Sequence, residues 1–332
     1  DALPIYGAFI WDKTKTFAMN IWNETLGIKP AAAWEDGAAH GLPPGYKYEN
    51  CYAIQPDKIK HLDLFNQIGV PWKGCVEARP YPFDVNDTPP NPSDPRTMFV
   101  PYFWPDEADK FDSWVASYAN NYMVDTPFLN PSVWEDQEWN EWHRTYNITK
   151  YTKTGKTITV DDVAPDTKGP NKACPTPIVP LTTDKTKVLN TISGLKHWNN
   201  SGTISSEGVA WGWRVLSPGA PFTEGKPYET KDLNKIMVIM SDGQNLIGSN
   251  NTNGPTISNY SAYGYLRWGQ WPEENFSKAS KMIDDRMLEA CTNAKAAGVT
   301  VYSILFRENN AKTIDLFTKC ATKPPFFYKA ST

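Results

Sequence analysis

The sequence predicts an α/β fold, a three-layer core with a mostly parallel sheet that carries a large irregular, aromatic-rich insertion. Three observations predict it. From about residue 184 onward, helix and strand signals alternate at the spacing of α/β units. The run Lys235-Ile-Met-Val-Ile-Met240 is apolar at successive positions rather than alternating, as in a strand buried on both faces of a parallel sheet. Residues 31–180, in contrast, hold most of the prolines, many of the tryptophans and few periodic stretches. Structureless loops of that length are rare in compact domains, so this part reads as an ordered insertion laid over the core.

Each element follows from local signals. Asp184 is an N-cap for a helix running to about residue 197, with Val188, Ile192 and Leu195 on one face. Residues 205–216 read as a second helix, ended by Ser217-Pro218-Gly219. The strand over 235–240 closes at Ser241-Asp242-Gly243. Residues 278–297 give the clearest helix, with Met282, Met287 and Leu288 among its apolar positions and Gly298 as its C-cap. Residues 299–306 read as another buried strand, 312–320 as a helix and 326–328 as a short last strand. That order with short links implies right-handed crossovers and parallel pairing. Inside the insertion, residues 99–104 read as a strand, 110–122 as a short helix and 153–163 as a hairpin. Residues 1–30 are assigned to an N-terminal strand and segment of the core, 31–180 to the insertion and 181–332 to the core itself.

The chain has 332 residues, 40% of them hydrophobic and 21% charged, which describes a globular protein rather than a disordered one. Its net charge of −4 leaves no basic excess to neutralise a phosphate backbone, which argues against nucleic-acid binding as the main task. No run approaches the roughly 18 apolar residues of a membrane span. No charged segment leads into a short apolar one, so any targeting segment is expected to lie outside this sequence. With 14 Trp, 16 Tyr and 28 Pro, long loops pinned by aromatic side chains are expected.

Five cysteines occur, at 51, 75, 174, 291 and 320, none in a C-x-x-C pair, and four histidines are too few and too scattered for a structural zinc site. Cys291 sits late in one predicted helix and Cys320 ends the next, an arrangement that brings the two within reach across a helix–strand–helix unit. Cys75 and Cys174 bracket the longest irregular stretch, which a disulfide would tie down. Cys51 is left over, either free or paired outside the chain. Five unpaired buried thiols in a cytosolic protein are the competing reading; the disulfide reading places the protein outside the cytoplasm.

Several segments, in order, resemble one family. They are Trp72-Lys-Gly-Cys-Val-Glu-Ala-Arg-Pro80 leading to Asp87-Thr-Pro-Pro90, then Phe99-Val-Pro-Tyr-Phe-Trp-Pro-Asp-Glu107 and Pro180-Leu-Thr182. Gly202-Thr203, Gly208-Val-Ala-Trp-Gly-Trp-Arg-Val-Leu-Ser-Pro218 and Met240-Ser-Asp-Gly243 follow, then Ile283-Asp-Asp-Arg-Met287 and Ala296-Ala-Gly-Val-Thr-Val-Tyr302. The C-terminal half resembles a von Willebrand factor type A domain. The whole chain resembles the bacterial surface proteins of tight-adherence (Flp/Tad) pilus assembly. The resemblance implies a Rossmann-like sheet whose rim loops hold one divalent cation, Mg2+ or Ca2+. It also implies an adhesion or assembly role with a protein partner at the surface of a bacterium. A hard cation takes oxygen ligands, and a site with few carboxylates retains positive charge for an acidic group of a partner. On this chain the implied ligands are Thr203 and Asp242, with Ser241 and Asn245 as supporting neighbours.

The family's first metal motif, Asp-x-Ser-x-Ser after the central strand, does not appear. Two placements stay open. Asp12-Lys-Thr-Lys-Thr16, after the apolar run 5–11, is a degenerate copy in which Thr14 and Thr16 supply the hydroxyls. Alternatively, residues 5–11 are the family's second strand, and the first strand and helix precede Asp1. In the second case the sheet would lack a middle strand, leaving unpaired backbone groups and an open apolar face to be completed by another segment or partner.

A non-enzymatic extracytoplasmic binding or assembly module is therefore expected. One alternative is a structural subunit of a larger surface or membrane-associated complex, its metal site degenerate. A further alternative is a carbohydrate-binding or carbohydrate-active protein, suggested by Trp134-Glu-Asp-Gln-Glu-Trp-Asn-Glu-Trp142 and by Asp106-Glu107. Glycoside hydrolysis needs two carboxylates facing each other across a cleft, and adjacency in sequence does not supply that. No Walker-type, Gly-x-Gly-x-x-Gly or Gly-x-Ser-x-Gly motif is present.

Overall fold

The computed structural model describes residues 15–16, 35–36, 47–49, 52–54, 58–107, 120–124, 149–152, 155–161, 163, 167–198, 202–248, 258–266 and 275–330. In chain order the short strands β1 (Lys15–Thr16), β2 (Glu35–Asp36), β3 (Lys47–Glu49), β4 (Tyr52–Ile54) and β5 (Lys58–Ile59) precede helix α1 (His61–Ile68) and the single turn α2 (Thr149–Thr152). Then come α3 (Lys185–Ser193), β6 (Gly202–Thr203), α4 (Ser205–Leu216), β7 (Ile236–Ser241), β8 (Leu246–Ile247), α5 (Phe276–Ala296), β9 (Thr300–Phe306), α6 (Ala311–Cys320) and β10 (Phe327–Ala330).

Caps fix the long helices. Asn275 accepts the Lys278 N–H at the start of α5, and Asn310 accepts the Lys312 and Thr313 N–H groups at the start of α6. The chain leaves α5 through Gly298, whose φ of +89° is the left-handed conformation that glycine adopts without strain. The core sheet has the order β10–β9–β7, and both pairings are parallel, with Ile236 opposite Thr300 and Phe327 opposite Ser303. Alternate residues define its two faces. Met237, Val301 and Leu305 turn toward α4, α5 and α6 and share a core with Met287, Ala290, Leu316 and Phe317. The Ser303 hydroxyl donates to the Phe317 carbonyl at 2.7 Å, and a Cys291–Cys320 disulfide joins α5 to α6 on that same face.

The insertion, with residues 258–266, builds a second core from aromatic side chains. Phe65 meets Phe103 edge-on at 5.0 Å, and Tyr260 meets Tyr265 at 4.9 Å, around a fully buried Trp104. Cys75 and Cys174 are bonded to each other, closing a loop of 99 residues within this region. Buried ions complete it. Asp106 accepts the Tyr122 and Met123 N–H groups and pairs with Lys150 Nζ at 2.7 Å.

Five expectations differ from what the described residues show. The described residues form two layers rather than three, because α4, α5 and α6 all lie on one side of the sheet. For the same reason β7 is not buried on both faces: Ile236, Val238 and Met240 are 52%, 59% and 73% exposed. Residues 99–104 are buried but form no strand; Pro101 and Pro105 lack the N–H that a ladder needs, and Pro101 makes an isolated bridge with Val76. Residues 155–161 do not fold back on themselves, since Ile158 pairs with Met123 and Asp161 with Lys168. The first helix of the core half also stops at Ser193, short of 197. The predicted strand over 5–11 and the predicted helix up to residue 119 lie outside the described residues, as does Cys51.

Candidate functional site

The loops at the carboxyl end of β7 form a rim. β6 and β8 pair antiparallel there, with Thr203 opposite Leu246, just past the turn that begins at Asp242. This pairing needs Gly202, whose φ is +80° and where a Cβ would strike the Leu246 carbonyl oxygen. Asn245 ties the two loops together: its Oδ1 accepts the Ser205 N–H at 2.9 Å, and its Nδ2 donates to Asp284 Oδ1 at 2.8 Å. Thr203 sits in this pairing, Asp242 lies four residues before Leu246, and both are exposed.

Among the described residues the donors there do not by themselves complete a cation site. Asn245 is nearly buried and engaged at both ends of its amide. The Ser241 hydroxyl exchanges hydrogen bonds with the Gly243 backbone. Among the described residues Thr203 and Asp242 are left as exposed donors, with Asp284 engaged by Asn245, whereas a hard cation takes about six oxygens. Among the described residues no group of three His, Cys, Asp or Glu is placed to hold a metal. Of the candidate first motif, Lys15–Thr16 is paired antiparallel with Lys58–Ile59 rather than with β7, and Asp12 and Thr14 lie outside the described residues.

The open side of the sheet is the second feature of the region. Ile236, Val238 and Met240 share a face with Tyr302 and Ile304 of β9 and, across the ladder, with the exposed Tyr328 of β10. β7 is the last strand of this sheet, and among the described residues its outer edge is unpaired. Helix α3 repeats the pattern: Val188, Leu189 and Ile192 are exposed, and no residue of the helix is buried. A shallow groove of about 470 Å³ runs along the outer side of α4, past Trp211 and Val215, to Ile236.

A buried ionic cluster anchors α4 to the insertion. Arg79 donates to the carbonyls of Phe83, Asn86, Thr88 and Thr97, and Arg214 donates to those of Phe83, Asp84 and Asn86. Phe99 stacks on Trp211 at 5.1 Å beside both guanidinium groups. Glu207 lies 3.8 Å from Arg214 Nη1 and receives the Tyr263 hydroxyl at 3.3 Å, while Asp84 sits 3.3 Å from Arg286 Nε. Burial pushes both carboxyl groups above their ordinary range, and the neighbouring arginines oppose that shift. Sequence reasoning did not assign this cluster a role. Its clearest signal was Arg214, a charged residue set inside the otherwise apolar run 209–216.

The carboxylates singled out for sugar chemistry are structural where they are described. Glu107 accepts from Trp104 Nε1, the Asn120 N–H and the Tyr265 hydroxyl, and both Asp106 and Glu107 are fully buried. The tract 134–142 lies outside the described residues.

No family model matches the chain, and no curated protein matches it. Two crystal structures of the pilus adhesin SpaC from Lactobacillus rhamnosus GG are similar in part. One has 15% identity over 46% of this chain and 19% of the adhesin, with a TM-score of 0.27. The other, an open conformation, has 14% identity over the same shares, with a TM-score of 0.26. The overlap spans about a fifth of the adhesin's length, and at those scores it defines neither fold nor role. The chain's own structure defines an α/β protein, disulfide-tied, with a three-stranded parallel sheet open on one face.

Proposed function

We propose that this chain is a non-enzymatic binding and assembly module that works outside the cytoplasm, with a von Willebrand factor A-like core completed by a partner. The partner would lay an extended segment along the outer edge of β7 and an apolar layer over its open face. One observation carries the reading: parallel sheets are normally covered on both faces, yet Ile236, Val238 and Met240 face solvent in a strand at the sheet's edge. The two disulfides support an oxidising compartment. Among the described residues no helix is long and apolar enough to cross a membrane. The ordered motifs of the tight-adherence resemblance support a bacterial surface.

The test replaces Val238 and Met240 together with Lys. If the face is open in the isolated chain, the variant keeps the wild-type unfolding midpoint and loses self-association and binding of the apolar dye ANS. A midpoint falling as far as in Met237→Ala, which opens a hole in the covered face, would show that the outer face is already occupied. A second reading, a rim site for Mg2+ or Ca2+, is favoured by the shared exposure of Thr203 and Asp242. It requires ligands from outside the described residues and predicts that EDTA and Asp242→Ala weaken partner binding equally.

A further inference from the structure

We propose that the cavity between α4 and the Cys75–Cys174 disulfide binds a primary ammonium group on an apolar stem, such as a lysine side chain, with Glu207 as its counter-charge. The cavity holds about 340 Å³, at the lower end of the range for small-ligand sites. Its walls are Trp211 of α4, the rings of Tyr102 and Tyr260, Ile178 and the disulfide itself. Into this apolar surface Glu207 brings a carboxylate. The residue lines both this cavity and the adjoining groove, and its side chain is 13% exposed. Its nearest cation, Arg214 Nη1, stands at 3.8 Å, beyond hydrogen-bonding distance, and the Tyr263 hydroxyl is a long donor at 3.3 Å. The carboxylate is thus largely removed from water without a short, charged donor to replace it, which is costly.

An ammonium entering beside Trp211 would supply that donor and also sit against aromatic faces. The stem would lie on Ile178, Ile204 and the rings. An anion would meet the Glu207 charge, and a plain hydrocarbon would strip the carboxylate of its last water. Lys73 also lines the cavity, on the wall that carries the disulfide, so a carboxylate ligand is the rival to eliminate. The inference is independent of how β7 is completed, because a small probe can enter without any partner strand.

The full chain is titrated with Nα-acetyl-lysine methylamide, with its Nε-acetylated form and with pentanoate, followed by the NMR signal of the Trp211 indole. The expected result is saturable binding of the ammonium probe, at least tenfold weaker binding of the acetylated form, and none of pentanoate. Glu207→Gln should weaken the ammonium probe at least tenfold, and Ile204→Trp, which fills the cavity, should abolish its binding. Equal affinity for the two lysine probes, preference for pentanoate, or no saturation at millimolar concentration would overturn the proposal. The probe comparison uses only the unmodified chain, so it stands even if Glu207→Gln fails to fold.

Discussion

Replacing Cys291 and Cys320 with Ala would test how far the parallel sheet depends on its staple. The bridge closes a loop of 29 residues, and both sulfurs are buried between α5 and α6. In the chain-entropy account a loop of that length contributes about 3.6 kcal/mol at 25 °C, and the 99-residue loop closed by Cys75–Cys174 about 4.7 kcal/mol. A globular domain has about 5–15 kcal/mol of stability in total, so losing the first bridge should be tolerated, whereas losing both, about 8.3 kcal/mol, would consume most of a mid-range stability. In guanidinium, with a slope of about 3–6 kcal/mol/M, the double Ala variant should unfold about 0.6–1.2 M earlier. Truncating two buried sulfurs adds a smaller packing loss of the same sign. The assay is equilibrium unfolding by tryptophan fluorescence, paired with alkylation of the unreduced, denatured protein and a mass measurement. A midpoint shift under about 0.2 M would refute the entropic reasoning. Alkylated Cys291 and Cys320 in the purified wild-type protein would remove the bridge and leave Cys75–Cys174 alone to argue for an oxidising compartment.

Two further outcomes follow from buried charge. Lys150→Met should destabilise the chain by about 3–5 kcal/mol, because it strands the fully buried Asp106 carboxylate, whereas Lys156→Met, at a far more exposed cation, should cost much less; thermal unfolding separates them. Glu207 has its folded-state pKa raised from 4.5 by burial, against Arg214 and Arg79 and with Asp84 adding to the rise. Its protonated form is therefore the one that folding favours, and that contribution is lost as pH climbs through the raised pKa. Glu207→Gln should gain stability relative to wild type between pH 4.5 and pH 7 in guanidinium melts, and a flat difference would contradict the burial argument.

The C-terminal half was readable because its signals are local. Asn275, Asn310 and Gly298 mark helix ends by side-chain and backbone chemistry that acts within one turn. The apolar run at 235–240 likewise declared a strand. What it could not declare was its cover: the same residues suit a strand enclosed by this chain and one enclosed by another. The insertion was less legible because burial there comes without periodicity. Residues 99–104 are as buried as any strand, yet their backbone bonds go to Cys75, Glu77 and Pro170 rather than along an extended ladder. The anchoring role of Arg79 and Arg214 depends on carbonyls spread over residues 83–97, whose convergence no short-range pattern encodes.

The size of the open face limits what can complete it. The exposed fractions of Ile236, Val238 and Met240 together equal nearly two whole side chains, worth about 3–5 kcal/mol when covered. A separate partner first loses about 4–15 kcal/mol of translational and rotational freedom, so these three side chains alone would not hold it. Backbone pairing along β7 must contribute as well, at about 0.5–1.5 kcal/mol for each bond formed. So must the rest of the face, where Tyr302 and Tyr328 extend the apolar surface across β9 and β10. A bare strand at the edge would leave those two rings wet, and a helix laid on the face would leave the edge unpaired. On the proposed reading, a partner would therefore supply both at once, a strand that continues into an element crossing the open side.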